Sequence, residues 1–232
     1  MSHFSLAVLH EENQDIDELL APYDEELDSD LMLEYTRAEA IKAAREDYEG
    51  NEAKTDEECI KFFAEMSRYV TDADGNVYVK FNQDAKYDWY EIGGRWKNYL
   101  RVNGERADSA RVGYIDFGPD EEMYKDALRF WDVVVGHMPP RPEEKCFSIY
   151  NNEKYYRDTY GDRENFARMR SLFTTHAVIT PDGEWHERGE VGYFGYSSET
   201  PEEGLEWDKN YVERFIKNAD KDLILTIVDC HI

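Results

Sequence analysis

The first and last predicted strands are the most apolar segments of this sequence, and they constrain the fold more than any other feature. Residues 4–9 read Phe-Ser-Leu-Ala-Val-Leu, and residues 223–228 read Leu-Ile-Leu-Thr-Ile-Val. A strand that is apolar on both faces is typical of the centre of a sheet. We therefore expect these two strands to lie side by side in the middle of one sheet.

Helix signals separate the predicted strands. Three capping boxes, each a threonine followed three residues later by a glutamate, begin at Thr36, Thr55 and Thr200. This arrangement predicts an α+β fold with a mainly antiparallel or mixed sheet and helices mainly on one face. We expect a single domain over residues 1–232, in which the segment 101–172 forms an insertion or lid.

The charge balance narrows the classes of partner. The 232 residues include 52 Asp and Glu against 27 Lys and Arg, a net charge of −25. Duplex DNA and anionic membranes would be repelled, so we expect no direct DNA binding. The acidity is consistent with occupying a basic protein groove meant for nucleic acid, with binding metal cations, or simply with a soluble acidic surface.

The cysteines and the hydropathy indicate a cellular location. Cys59, Cys146 and Cys230 are scattered, which favours neither a disulfide framework nor a zinc ribbon. We expect Cys230 to be a small buried residue. No signal peptide and no membrane-spanning stretch is predicted, and we expect a cytosolic protein without membrane association.

The stretch 86–100 has the densest run of aromatic residues. Trp89, Tyr90 and Trp96 flank a Gly-Gly bend, and Arg95 lies between the bend and Trp96. We predict a ligand-binding pocket with aromatic walls, in which the arginine fork binds carboxylate or phosphate. In the alternative, the tryptophans are core anchors and Arg95 pairs with an acidic residue.

The polar ends of the terminal strands suggest a second site. If the strands pair antiparallel, His3 lies near His231, with Asp229 two residues away on the same face. Two imidazoles and a carboxylate can bind Zn²⁺, Mn²⁺ or Fe²⁺, and His186 or Glu190 could complete the site or serve in acid–base chemistry. The alternative is a polar strand end with hydrogen-bonded histidines.

Five motifs are spread over nearly the whole chain: SHF at 2–4, LLAPYDE at 19–25, DWYEIGGRW at 88–96, GEWHERGE at 183–190 followed by GYFG at 192–195, and VDCHI at 228–232. Together they resemble a family of uncharacterised proteins carried by tailed bacteriophages and prophages. The resemblance implies a phage origin and no particular mechanism. Small accessory phage proteins often antagonise host defence, which is an argument by association.

These observations lead to three hypotheses of function. The first is a non-enzymatic binding protein in the host cytoplasm that inhibits a host defence protein by acidic nucleic-acid mimicry or sequesters a small nucleotide-like ligand. The second is a metal-dependent hydrolase or nuclease that uses His3, Asp229 and His231 with Zn²⁺ or Mn²⁺. The third is a structural or assembly protein of the virion, for which the sequence offers no coiled-coil or collagen-like repeat. No hydrolase, P-loop or dinucleotide-binding signature is present.

Overall fold

The computed structural model describes residues 2–27, 30–47, 55–142, 144, 147, 151–192 and 196–232. The strands within these ranges are β1 (His3–His10), β2 (Asp30–Tyr35), β3 (Tyr69–Thr71), β4 (Val77–Phe81), β5 (Trp89–Ile92), β6 (Leu100–Val102), β7 (Glu105–Ala107), β8 (Ser109–Arg111), β9 (Ala177–Ile179), β10 (Trp185–Glu187) and β11 (Ile224–His231). The helices are α1 (Ile16–Leu20), α2 (Arg37–Glu46), α3 (Asp56–Ala64), α4 (Glu121–Val134), α5 (Glu153–Tyr160), α6 (Arg163–Arg170) and α7 (Pro201–Tyr211). The protein has an α+β fold, as predicted.

The terminal strands form the centre of the larger sheet. Its strand order is β10-β9-β1-β11-β5, and β8 also pairs with β11. β1 and β11 are antiparallel along their whole length, whereas β9 runs parallel to β1, so the sheet is mixed. The predicted central pairing of the first and last strands is therefore confirmed.

Both faces of this central pair are buried, which explains why the two strands are apolar throughout. On one face Ala7 and Ile227 pack in a core with Trp207 and Tyr211 of α7. On the other face the side chains that alternate with these residues, including that of Leu6, are fully buried as well. Burial of this kind stabilises a fold by roughly 25 cal/mol per Å² of apolar surface.

All three predicted capping boxes are present. The Thr55 hydroxyl accepts a hydrogen bond from the Glu58 backbone N–H at 3.1 Å, and the Glu58 carboxylate accepts one from the Thr55 backbone N–H at 2.8 Å. Thr200 caps α7 in the same way, and at the start of α2 the Glu39 carboxylate accepts hydrogen bonds from both the backbone N–H and the hydroxyl of Thr36. Each cap contributes about 1 kcal/mol to helix stability.

The chain divides into two compact units, Met1–Leu19 with Trp89–Ile232, and Leu20–Asp88. These boundaries differ from the expected single domain with an insertion at 101–172. The physical reason is that β8, inside that segment, pairs with β11 of the larger sheet, while Val112 and Ile115 pack in its core. The same segment contains the antiparallel pair of β6 with β7, and helices α4 and α6, which pack through Trp131 and Phe166.

The unit Leu20–Asp88 has its own sheet and core. Its strand order is β2-β4-β3, with both pairs antiparallel. Helices α2 and α3 cover one face of this sheet, where Val77 packs with Ala40 and Phe63. Cys146 and the last three residues of the GYFG motif, 193–195, lie outside the described residues.

Candidate functional site at the ends of the central strands

The pairing of β1 with β11 brings three predicted site residues together. His3 is directly opposite His231, and Ser5 is opposite Asp229. Because side chains alternate along a strand, His3, Asp229 and His231 share one face of the sheet. The register that the sequence predicted for these residues is confirmed.

His3 and Asp229 form a buried hydrogen-bonded pair. His3 Nδ1 lies 2.8 Å from Asp229 Oδ1, and Asp229 is only 2% exposed. An ionised carboxylate only accepts hydrogen bonds, so the hydrogen lies on Nδ1 of the imidazole. Nε2 of His3 has no hydrogen-bond partner among the described residues. The pair therefore orients an imidazole whose second nitrogen can bind a ligand.

The Gly-Gly bend supplies the second partner of Asp229. The Arg95 backbone N–H donates to Asp229 Oδ2 at 2.9 Å. Gly94 has a φ of +47°, and a Cβ at this position would lie 2.5 Å from the same oxygen. A side chain at residue 94 would push the bend away from Asp229. The glycine thus permits the close approach that satisfies a buried carboxylate.

An aromatic stack adjoins this pair. The ring of Trp89 stacks on that of His231, with 5.1 Å between centroids and an interplanar angle of 20°. His3 meets both rings edge-on, at 4.9 Å from His231 and 5.7 Å from Trp89. His231 is buried, but Trp89 is 46% exposed. An indole that stacks on a buried ring and is itself half-exposed offers surface on which another aromatic ring can stack.

The four residues of the predicted aromatic pocket do not form one cleft. Trp89 and Tyr90 are neighbours in β5, so they point to opposite faces of the sheet, and Tyr90 is opposite Cys230. The Tyr90 hydroxyl donates to Asp17, and burial, with the Asp17 carboxylate, raises the pKa of this phenol. Trp96 packs against the core of the larger unit. Trp89 lies on the face of the sheet that carries the histidines, and the core that Trp96 contacts is on this face as well.

Arg95 is exposed at its side chain. Within the described ranges its guanidinium has no ion pair and does not lie over an aromatic ring. The alternative of an arginine buried against a carboxylate is therefore not observed among these residues. A guanidinium of this kind is available to an external anion.

Glu91 is a site residue that the sequence interpretation missed. It is opposite Asp229 in the pairing of β5 with β11, and it is exposed on the same face as Trp89. The signal was present, because Trp89 and Glu91 are two residues apart in a strand. Glu91 adds a hydrogen-bond acceptor beside the indole.

Two further residues named for this site lie elsewhere. His186 is on β10, at the edge of the sheet, where its ring contacts that of Phe215. Glu190 is exposed after that strand, and its backbone N–H donates to Ser198. Neither joins His3 and His231. Cys230 is buried on the opposite face, as expected, and burial raises the pKa of its thiol.

Metal binding at His3, Asp229 and His231 stays a prediction. Across the described ranges, no group of three or more His, Cys, Asp or Glu side chains is arranged to hold a metal ion. Both Asp229 oxygens already accept hydrogen bonds, one from His3 and one from Arg95. The observed arrangement is a hydrogen-bonded pair, with Asp229 behind His3.

Comparison with known proteins adds no relative. No protein-family model matches the chain, and no curated protein or solved structure is significantly similar to it. The resemblance to phage proteins therefore stays a prediction. Among the described residues, no helix combines the length and apolar character needed to cross a bilayer.

Proposed function

We propose that this protein is a phage-encoded binding protein of the host cytoplasm that sequesters a small nucleotide-like ligand. The observation that carries the proposal is the stack of half-exposed Trp89 on buried His231, beside the oriented imidazole of His3. A nucleobase would stack on the open indole face, an interaction worth about 1–3 kcal/mol per base.

Other residues of the candidate site suit the remaining parts of a nucleotide. Arg95 would bind a phosphate, because its planar fork matches the oxygens of that group. His3 Nε2 would contact the same anion or a ring nitrogen, while Glu91 would accept a hydrogen bond from a ribose hydroxyl or an amino group. In a chain of net charge −25, a site with an exposed arginine is one of few that would attract an anion.

A binding screen tests this proposal. ATP, GTP, NAD and a cyclic dinucleotide are titrated into the protein and followed by calorimetry. Trp89→Ala is expected to weaken binding of the responding nucleotide at least tenfold, and Arg95→Ala to abolish it. Arg95→Lys is expected to fail nearly as badly, because lysine lacks the bidentate fork.

The control is Arg168→Ala, which removes another exposed arginine outside this site. This variant should bind as the wild type does, and Arg95→Ala should unfold within about 0.5 kcal/mol of it because exposed side chains contribute little to stability. Absence of binding by every nucleotide, or a loss of binding explained by unfolding of the variants, would overturn the proposal.

The second candidate is a metal-dependent hydrolase. The observation that favours it is the hydrogen bond from His3 Nδ1 to Asp229, since metal-binding histidines commonly donate their other N–H to a carboxylate. His3 Nε2 and His231 would then be the ligands, and the metal would activate a water. Metal content after purification without a polyhistidine tag decides this reading. Metal-free protein with no thermal shift in Zn²⁺ or Mn²⁺ would remove it.

A further inference from the structure

Strand β2 presents three consecutive large apolar side chains to solvent. Leu31 is 57% exposed, and Met32 and Leu33 are each 50% exposed. Scattered exposed apolar residues are common, but a contiguous group on a strand marks an interaction surface or an aggregation liability. This run lies in the compact unit Leu20–Asp88, whereas the residues of the ligand site belong to the other unit.

Leu31 and Leu33 lie on the face of the small sheet opposite α2 and α3, whereas Met32 pairs with Val79 and points to the other face at the edge of the sheet. The β2–β4 register puts Leu33 beside Tyr78, and the β3–β4 register puts Val70 beside the same tyrosine. This face is opposite the one that α2 and α3 cover, where Val77 is buried. Leu31, two residues before Leu33, extends the apolar face along β2.

Strand β2 is at one end of the described strand order β2-β4-β3. In the part of the chain that the structure describes, β2 pairs with β4 alone. Native proteins protect such edges with lysine, proline or a covering element, and β2 contains neither of these two residues. Its flanking charges are both acidic, Asp30 before the apolar run and Glu34 after it.

An open strand edge can pair with a second copy of the same chain or with a segment of another protein, and charge favours the second of these. In a second copy paired antiparallel about Met32, Asp30 of one copy would lie opposite Glu34 of the other. Like charges directly opposite each other destabilise a strand pair, and two chains of net charge −25 repel each other. An extended segment with apolar residues between Lys or Arg residues meets none of these penalties.

We propose that β2 docks an extended segment of a partner protein, in which alternating apolar residues are flanked by Lys or Arg, as an added strand of the β2-β4-β3 sheet. The main-chain hydrogen bonds of β2 would supply affinity, and Asp30 and Glu34 would select the basic flanks. This function is independent of the nucleotide-like ligand proposed for Trp89 and Arg95.

The test uses the full chain and a fluorescein-labelled peptide with a Val-Thr-Val-Thr-Val centre between two pairs of Lys and Arg. Two control peptides keep this centre, one with glutamates in place of the basic residues and one with N-methylated valines that cannot pair as a strand. Fluorescence anisotropy is expected to report binding of the basic peptide and at least tenfold weaker binding of both controls.

Matched substitutions locate the binding surface. Leu31→Lys is expected to weaken peptide binding at least tenfold, whereas Met138→Lys, which adds the same charge at a similarly exposed residue in the other unit, should not. Trp89→Ala should also leave peptide binding unchanged. Failure of the proposed nucleotide site would therefore be distinguishable from failure of peptide binding at β2. Absence of peptide binding, equal binding of the basic and acidic peptides, or a β2-dependent dimer seen by light scattering would overturn the inference.

Discussion

His3 Nδ1 lies 2.8 Å from Asp229 Oδ1, a contact between residues 226 positions apart. It exists because the first and last described strands pair in a register that puts His3 opposite His231. The contact joins the fold to the candidate site, since the same pairing that builds the centre of the sheet orients the imidazole.

The His3–Asp229 pair should be measurable as a coupling energy. In a double-mutant cycle of His3→Ala and Asp229→Asn, followed by urea unfolding, we expect about 1–3 kcal/mol of coupling because the bond is largely buried. The exposed pair of His137 with Glu153 is the control and should couple by less than about 1 kcal/mol. Equal coupling in the two pairs would contradict this account of Asp229.

Gly94→Ala should destabilise the protein by more than backbone strain alone. A positive φ costs an alanine about 1 kcal/mol, and the new Cβ would also collide with Asp229. Gly104→Ala is the matched control, because Gly104 has a φ of +89° and no atom within 4 Å of the added Cβ. We expect Gly94→Ala to cost at least about 2 kcal/mol more than Gly104→Ala in urea unfolding. Similar costs would show that the bend can move away from Asp229.

Stability should fall on mild acidification because of His176. Burial lowers the pKa of this imidazole below its ordinary value of 6.5, and its Nε2 lies 2.7 Å from the Gly189 carbonyl oxygen. The unfolded chain therefore binds a proton that the folded chain rejects, so stability decreases as the pH falls below about 6.5 and is retained above it.

His176→Gln isolates this effect, because glutamine keeps a donor for Gly189 and does not titrate. The free energy of unfolding, measured from pH 7.5 to 5, should decrease less in this variant than in the wild type. Identical slopes for wild type and His176→Gln would contradict the prediction.

Cys230 should be inert in the folded protein. Its thiol is fully buried, and burial raises its pKa, so little thiolate is present near neutral pH. In a Cys59→Ser, Cys146→Ser background, labelling by a disulfide reagent at pH 8 should be at least a hundredfold slower in buffer than in urea. Comparable rates would indicate that β11 opens readily at this position.

Much of the fold followed from local physical chemistry that the sequence carries by itself. Apolar residues on both faces placed β1 and β11 at the sheet centre, because only a central strand buries both faces. The alternation of side chains then put His3, Asp229 and His231 on one face. The capping boxes at Thr36, Thr55 and Thr200 could also be predicted from the sequence, since each is a contact within four residues.

Other features depend on contacts that local patterns do not encode. Strand β2 was not predicted, because Leu and Met are good helix formers and its strand state comes from pairing with β4. The pairing of β8 with β11, which joins Ser109–Arg111 to the larger sheet, was likewise not predicted. In both cases pairing with a strand distant in the sequence determines the conformation, because the local secondary-structure propensity is weak.

At the candidate site, too, some features follow from the sequence and others only from the tertiary structure. The sequence by itself determined the residue types, the strand alternation and the presence of a flexible bend at Gly93-Gly94. Only the tertiary structure decided that the bend folds onto Asp229 and that Trp89 stacks on His231 while Tyr90 faces away. The reason is that periodicity defines faces within one strand, whereas the neighbour of each face is chosen by packing between strands distant in the chain.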